Sequence, residues 1–144
     1  MLPKASRFEV AHVLFSPDQK RLIQELSGIR VSAKAQKIWK AFDSKENFIG
    51  WIVVDYVIGK HLLIDYAIAI SPEQKVLDVE VLSYRESYGG EIRSKNWRQQ
   101  FVGKTRESNL TLNKDITNIG GATLSTRHVT EGIKRVLATI HVTQ

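Results

Sequence analysis

The sequence predicts a single α+β domain in which helices flank an antiparallel β-sheet meander. Three segments rich in β-branched and aromatic residues, 48–58, 62–70 and 75–84, are separated only by links of hairpin length. Consecutive strands joined so tightly pair antiparallel. The chain then ends in an amphipathic helix, and its 144 residues suit one domain with an ordinary core.

The region before these strands is predicted to be helical or irregular, from residue 1 to 47. Residues 16–26 read as a helix, with Ser16 as N-cap and Pro17 in the first turn. Residues 33–42 fit either a short helix or a strand, and the sequence does not decide between the two.

Beyond the third strand, a double glycine breaks the pattern at 85–92. Residues 93–101 predict a short helix, because Trp97 and Phe101 lie four apart on one face. Residues 109–113 predict a short strand. The final helix is the clearest element, since its apolar residues form one stripe: Val129, Ile133, Val136, Leu137 and Ile140.

Composition sets limits on the class of protein. Hydrophobic residues make up 42% and charged residues 25%, which is typical of globular domains. No apolar run approaches the roughly 20 residues that span a bilayer. The first residues lack the apolar core of a signal peptide. The chain has no cysteine, so disulfides, thiolate metal ligands and cysteine nucleophiles are excluded.

The net charge of +6 is unevenly distributed. Residues 1–48 carry nine Lys or Arg against five Asp or Glu, and residues 49–90 carry three against six. Residues 91–144 carry nine against four. Such a basic end is explained either by an ordinary solvated surface or by an anionic ligand nearby.

Several motifs for other functions are incomplete or missing. "GKT" at 103–105 resembles the end of a phosphate-binding P-loop, but Arg98 stands where that motif needs glycine. The four histidines are scattered, so no metal site is predicted. There is no nucleophile-elbow serine motif and no long basic stripe, so neither a hydrolase nor a nucleic-acid partner is expected.

The stretch "GGAT" at 120–123 immediately precedes the final helix. The first amides of a helix have no internal partners, and small residues leave them accessible to a phosphate. Thr123 would present its hydroxyl at the same place. The alternative is a plain glycine turn in which Ser125 or Thr126 serves as N-cap.

These residues carry a resemblance to a known family. "IGGATLST" resembles the "SGATxS" signature of the FMN-binding domain family, which includes the flavin subunits C of the sodium-pumping NADH:quinone oxidoreductase and G of the Rnf complex. "VLSYRESYGGEI" and "WRQQFVGK" are similar to two further segments of that family, in the same order. The resemblance extends over about residues 48–140.

The resemblance implies one bound FMN that passes electrons. In covalent members a flavin transferase, using FAD, esterifies the FMN phosphate onto the threonine of the motif, which here is Thr123. Covalent members usually have Asp six residues before that threonine and Ser three before it, whereas this chain has Thr117 and Gly120. Covalent and non-covalent binding of FMN therefore both stay open.

The rest of the expected site follows from what a flavin needs. The ring requires an apolar wall and close backbone approach, and Leu124 and Trp97 are candidates for the wall. Trp97 could equally anchor the core, and Lys104, a candidate partner of the phosphate or ring, could equally be solvent-exposed. The full set of expected FMN contacts is Glu86, Ser87, Tyr88, Gly89, Gly90, Trp97, Lys104, Gly120, Gly121, Ala122, Thr123, Leu124 and Ser125.

No residue resembles a catalytic acid or base, so an electron carrier is expected rather than an enzyme with its own substrate. The resemblance implies redox partner proteins, a flavin transferase in the covalent case, and a place on the extracytoplasmic side of a bacterial membrane. Two rivals stay open. One is a degenerate module that binds flavin non-covalently or acts as a sensor, and the other is a basic module for anionic ligands or a membrane surface.

Overall fold

The computed structural model describes residues 1–31 and 36–144, and it contains a five-stranded antiparallel sheet. Each strand pairs with its neighbours in chain order, so the sheet is a simple meander. The predicted α+β class is therefore confirmed. The strands are β1 (Arg7–Val10), β2 (Lys37–Phe42), β3 (Phe48–Ile58), β4 (Leu63–Ile70) and β5 (Val76–Tyr84).

In the described ranges, three α-helices accompany the sheet: α1 (Pro17–Ser27), α2 (Lys95–Arg98) and α3 (Thr123–Thr143). Short 3-10 turns flank α2 on both sides, at Gly90–Arg93 and Gln99–Phe101. Within the described ranges, no helix combines the length and the apolar character needed to cross a bilayer.

The N-terminal part is more ordered than its sequence suggests. Helix α1 begins as predicted, because Ser16 and Gln19 form a reciprocal capping box. The ambiguous segment 33–42 is a strand from Lys37 onward, where it pairs with β3, and its residues 33–35 lie outside the described residues. Strand β1 was not predicted, although its residues RFEV alternate between polar and apolar; in the structure all four are exposed.

Two predictions in the C-terminal half are corrected. Residues 93–101 form several short helical turns in succession and not one continuous helix. The rings of Trp97 and Phe101 nevertheless pack together, with their centroids 5.1 Å apart. Residues 109–113 form a loop instead of a strand. Leu110 and Asn113 take positive φ angles of 47° and 65°, which a strand cannot accommodate.

The core lies between the sheet and α3. A row of four paired residues crosses the sheet, and each member is at most 1% exposed: Ile38, Val53, Ile68 and Val79. Helix α3 packs against β3 and β4 through its predicted apolar stripe, which is equally buried, and α1 packs against α3. This arrangement fixes the position of the N-terminus of α3 relative to the sheet.

A polar cluster also joins α3 to the sheet. Asp55 and Tyr66 are cross-strand partners, and the Tyr66 hydroxyl donates to Asp55 Oδ2 over 2.6 Å. Arg135 of α3 donates to the same oxygen over 2.7 Å. Burial raises the pKa of Tyr66 well above its ordinary value, so the phenol keeps its proton and remains a donor.

Candidate functional site

The turn before α3 leaves the first amides of that helix open. Ala122 is the N-cap residue, and among the residues that the structure describes no side chain caps the helix. The backbone N–H groups of Thr123, Leu124 and Ser125 likewise find no acceptor in the described part of the chain. Unpaired amides and the helix dipole both favour an anion at this place.

Two glycines keep the approach to these amides clear. Gly121 has a φ of 80°, a conformation that glycine adopts without strain. A Cβ atom built at Gly120 or Gly121 would meet no heavy atom within 4 Å beyond the adjoining residues. The alternative in which Ser125 or Thr126 caps the helix is wrong, because both lie inside its first turn.

Thr123 stands at the start of α3 with an exposed side chain whose hydroxyl oxygen is already held on one side. Asn118 Nδ2 donates to Thr123 Oγ1 over 2.9 Å. The Asn118 amide is fixed in turn, because Thr126 Oγ1 donates to Asn118 Oδ1 over 2.7 Å. The Thr123 oxygen therefore acts as an acceptor toward Asn118, and its own proton is free to point elsewhere.

The segment after β5 packs directly against this turn. The Tyr84 hydroxyl donates to the backbone carbonyl of Tyr88 and lies 3.4 Å from Ser125 Oγ. Gly89 fits closely between the two segments. A Cβ at position 89 would overlap the Cβ of Ala122 and would lie 2.6 Å from the Tyr84 hydroxyl.

The hairpin between β3 and β4 forms the third part of the site. Glu86 accepts hydrogen bonds from the backbone N–H groups of His61 and Leu62, at 2.6 and 2.7 Å. These two bonds lower the pKa of Glu86 and keep it ionised. Gly59 lies against the helix, since a Cβ there would be 2.9 Å from Ser125 Oγ. The carboxylate of Glu86 therefore clamps the hairpin to the segment after β5.

These three segments enclose a cavity of about 430 Å³ at the N-terminus of α3. Lys60 and His61 bring cationic or polar side chains to it, while Glu86 is engaged with the hairpin backbone. Thr123 also borders a second cavity, beside the loop of residues 110–113. The lining of the first cavity consists of Lys60, His61, Tyr84, Glu86, Ser87, Tyr88, Gly121, Ala122, Thr123, Leu124 and Ser125.

The structure brings together most of the contacts expected from the sequence. Eight of them line the cavity, namely Glu86, Ser87, Tyr88, Gly121, Ala122, Thr123, Leu124 and Ser125. Gly89, Gly90 and Gly120 adjoin the lining without being part of it. Gly89 acts as a packing contact between two walls of the cavity, which is a different role from the close ligand approach expected of it.

Trp97 and Lys104 lie outside the cavity lining. Trp97 is buried, and its indole Nε1 donates to the Thr117 carbonyl over 2.8 Å. The ring is therefore a core residue that holds the chain just before the turn leading into α3. Lys104 Nζ lies 3.8 Å from Asp115 Oδ2. Asp115 also accepts from the backbone of residues 110 and 111, so this ion pair belongs to the neighbouring loop.

Four residues of the site were not identified from the sequence: Lys60, His61, Tyr84 and Asn118. Tyr84 was predicted only as the end of a strand. Lys60 and His61 were treated only as part of a hairpin link, although a basic pair in a tight turn is itself a signal for an anion site. Asn118 belongs to no recognised motif. Its role depends on hydrogen bonds to the side chains of Thr123 and Thr126, which come together only in the folded turn.

The structure defines the class of protein as an α+β domain with a cavity at the N-terminus of its last helix. Residues 59–138, more than half of the chain, match the FMN-binding domain family. The RnfG-type component of a proton-translocating ferredoxin:NAD(+) oxidoreductase complex from Clostridium ljungdahlii is 31% identical over 110 residues. That match covers 71% of this chain and 59% of the clostridial protein.

The fold is also similar to the crystal structure of NqrC of Shewanella oneidensis, with a TM-score of 0.58 and 18% identity. This similarity covers 76% of this chain and 58% of that one, and at such low identity it indicates a shared fold. The chain thus spans less than two thirds of the length of either protein. On the family match, the chain belongs to the FMN-binding domain family.

Proposed function

We propose that this domain holds one FMN, with its phosphate at the open N-terminus of α3, and that it passes electrons within a redox complex. The main support is the set of unpaired amides at residues 123–125, which adjoin a cavity in a chain of the FMN-binding domain family. FMN fits these residues, because its phosphate is the anion that such a helix terminus favours.

Each wall of the cavity has a role in this proposal. The amides of Thr123, Leu124 and Ser125 bind phosphate oxygens, and Lys60 adds positive charge from the hairpin. The side chain of Leu124 is partly exposed and offers apolar surface to the ring. Tyr88 is 78% exposed, so its ring is available to cover one face of the bound flavin.

Thr123 provides the hydroxyl for a covalent link. In that link, its Oγ1 bonds to the FMN phosphorus of FAD, the pyrophosphate bond breaks, AMP leaves, and the hydroxyl proton passes to the transferase or solvent. An exposed side chain at the rim suits access by a flavin transferase. Thr117 and Gly120 depart from the usual pattern of covalent members, so the proposal includes binding of FMN without the bond.

The flavin itself supplies the redox chemistry, and the protein supplies position and electrostatics. The protein groups that line the cavity hold and orient a ligand, and the proposal assigns the domain the role of a carrier between redox partners. Of the two similar proteins, the clostridial one supports this role by name, as part of a ferredoxin:NAD(+) oxidoreductase complex. By analogy with the family, we place the domain at the extracytoplasmic side of a bacterial membrane.

A visible spectrum of the protein co-expressed with a flavin transferase tests the proposal. A flavin band that stays with acid-precipitated protein indicates the covalent bond, and a band released into the supernatant indicates non-covalent FMN. A colourless protein that cannot be reconstituted with FMN would contradict the proposal and favour a module for other anionic ligands.

The attachment point is tested by Thr123→Val, which should remove protein-linked flavin on a denaturing gel while the unfolding midpoint stays unchanged. Thr111→Val is a matched control, because Thr111 is exposed and lies outside the cavity lining. Protein-linked flavin that persists in the Thr123 variant would refute the assignment.

The role of the unpaired amides at residues 123–125 as the phosphate site is tested by Gly121→Val. This substitution should block approach of the phosphate to the amides whether or not the covalent bond forms. Gly103→Val is its control, since Gly103 has a similar φ of 84° and equally open surroundings, away from the cavity. Equal FMN affinity in both variants would count against the assignment of the phosphate to these amides.

A further inference from the structure

Asn118 is the one residue in the described part of the chain whose side chain holds the hydroxyl of Thr123. Because Nδ2 has only protons to offer, the Thr123 oxygen must accept this bond. The hydroxyl proton is then directed away from Asn118 and is available to a phosphate oxygen at the N-terminus of α3.

The orientation of the Asn118 amide is itself determined by Thr126. Thr126 is fully buried, and its Oγ1 lies 2.7 Å from Asn118 Oδ1, closer than to the backbone carbonyls of Ala122 and Thr123 at 3.2 and 3.1 Å. Its single hydroxyl proton is therefore assigned to the shortest of these contacts, the one with Asn118. With Oδ1 occupied by Thr126, Nδ2 faces Thr123, so the three side chains form a chain of hydrogen bonds with a single direction. The direction runs from the buried first turn of α3 to the exposed hydroxyl.

We propose that Asn118 is a positioning residue that makes Thr123 a hydrogen-bond donor to the phosphate of FMN bound without the covalent link. This inference rests on the proposed function, since it assigns the phosphate to the same turn. The Thr123 hydroxyl thus adds one side-chain donor, with its direction fixed before the ligand arrives, to the backbone amides that favour a phosphorylated flavin over riboflavin.

Asn118→Asp is the informative substitution because it keeps the shape and reverses the hydrogen-bond polarity. A carboxylate can only accept, so the Thr123 proton would turn inward and its lone pairs would face the phosphate. The new negative charge would also repel the ligand. A lost hydrogen bond to a charged group corresponds to about 10- to 100-fold in affinity.

The experiment compares FMN with riboflavin in fluorescence titrations of the wild-type protein, Asn118→Asp and the control Asn109→Asp. Asn109 is exposed and lies outside the cavity lining, so its variant carries the same charge change elsewhere. We expect the Asn118 variant to lose about 10- to 100-fold in FMN affinity while riboflavin affinity changes less than about twofold. The control should match the wild type for both ligands.

Thr126→Val provides a second test, because it removes the group that fixes the amide while preserving volume. Combining it with Asn118→Ala should cost no more FMN affinity than Asn118→Ala alone, since both changes break one chain of bonds. Unchanged FMN affinity in Asn118→Asp, or an equal loss for both ligands, would overturn the inference. Failure of the wild-type protein to bind FMN at all would instead refute the proposed function on which it rests.

Discussion

Replacing Gly89 by alanine should separate two walls of the cavity, and the size of the effect follows from two contributions. Gly89 has a φ of 86°, and a left-handed conformation costs an L-residue about 1–2 kcal/mol. The new Cβ would also overlap the Cβ of Ala122 and approach the Tyr84 hydroxyl to 2.6 Å. Overpacking of this kind costs about 1–3 kcal/mol.

The two contributions add to about 2–5 kcal/mol of lost unfolding free energy for Gly89→Ala. Gly103→Ala separates them, because Gly103 has a φ of 84° and no heavy atom within 4 Å of an added Cβ. This control should lose only the backbone part, about 1–2 kcal/mol. The difference between the two variants therefore measures the clash at the cavity wall.

Urea unfolding of both variants gives the free energies, and FMN titration gives the functional effect. Gly89→Ala should bind FMN more weakly, since relief of the overlap must displace Ala122, the N-cap residue whose neighbouring amides form the site. Gly103→Ala should retain wild-type affinity. If the two variants lose the same unfolding free energy and bind FMN equally well, the close packing of Gly89 against the helix terminus does not support the site.

Two further predictions concern charge. The pKa of Glu86 is lowered from its ordinary value of 4.5, so its hairpin clamp stabilises the protein above about pH 4.5 and weakens as pH falls through the lowered value. The unfolding midpoints of wild type and Glu86→Gln should therefore differ most above that pH and converge below it; a gap that is constant with pH would contradict this. Asp55→Ala should cost about 3–5 kcal/mol in urea unfolding, because Arg135 is left buried without its counter-charge. A loss below about 1 kcal/mol, the range of an exposed ion pair, would show that solvent already screens this charge.

Periodicity was enough to predict the elements that bury one complete face. Strands β3 and β4 are rich in β-branched and aromatic residues, and β5 and helix α3 repeat apolar residues with the spacing of their own geometry, so local sequence and final packing agree. Strand β2 could not be assigned, because "KIWKAF" suits both structures and only its pairing with β3 decides. Strand β1 was not assigned either, although its four residues alternate between polar and apolar, and all four are exposed.

The candidate site was predictable where it consists of main chain and small residues, as at residues 120–123. It was not predictable where partners come from distant segments. Nothing in the sequence indicates that Lys104 pairs with Asp115 rather than facing a ligand, or that Glu86 binds the hairpin at His61. Likewise, the positive φ of Leu110 results from hydrogen bonds to Asp115, which override the strand propensity of its segment.

The open amides at the start of α3 have a consequence for how this protein can change over evolutionary time. Every amino acid except proline supplies the same N–H group, so substitution at residues 123–125 leaves the donors intact so long as the helix still begins there. What must be preserved is the path of the backbone, set by the left-handed Gly121 and by the packing of α3 on the sheet. The amide part of the site is therefore preserved by the shape of the backbone, and the side chains under constraint are those with a role of their own, Thr123 and Asn118.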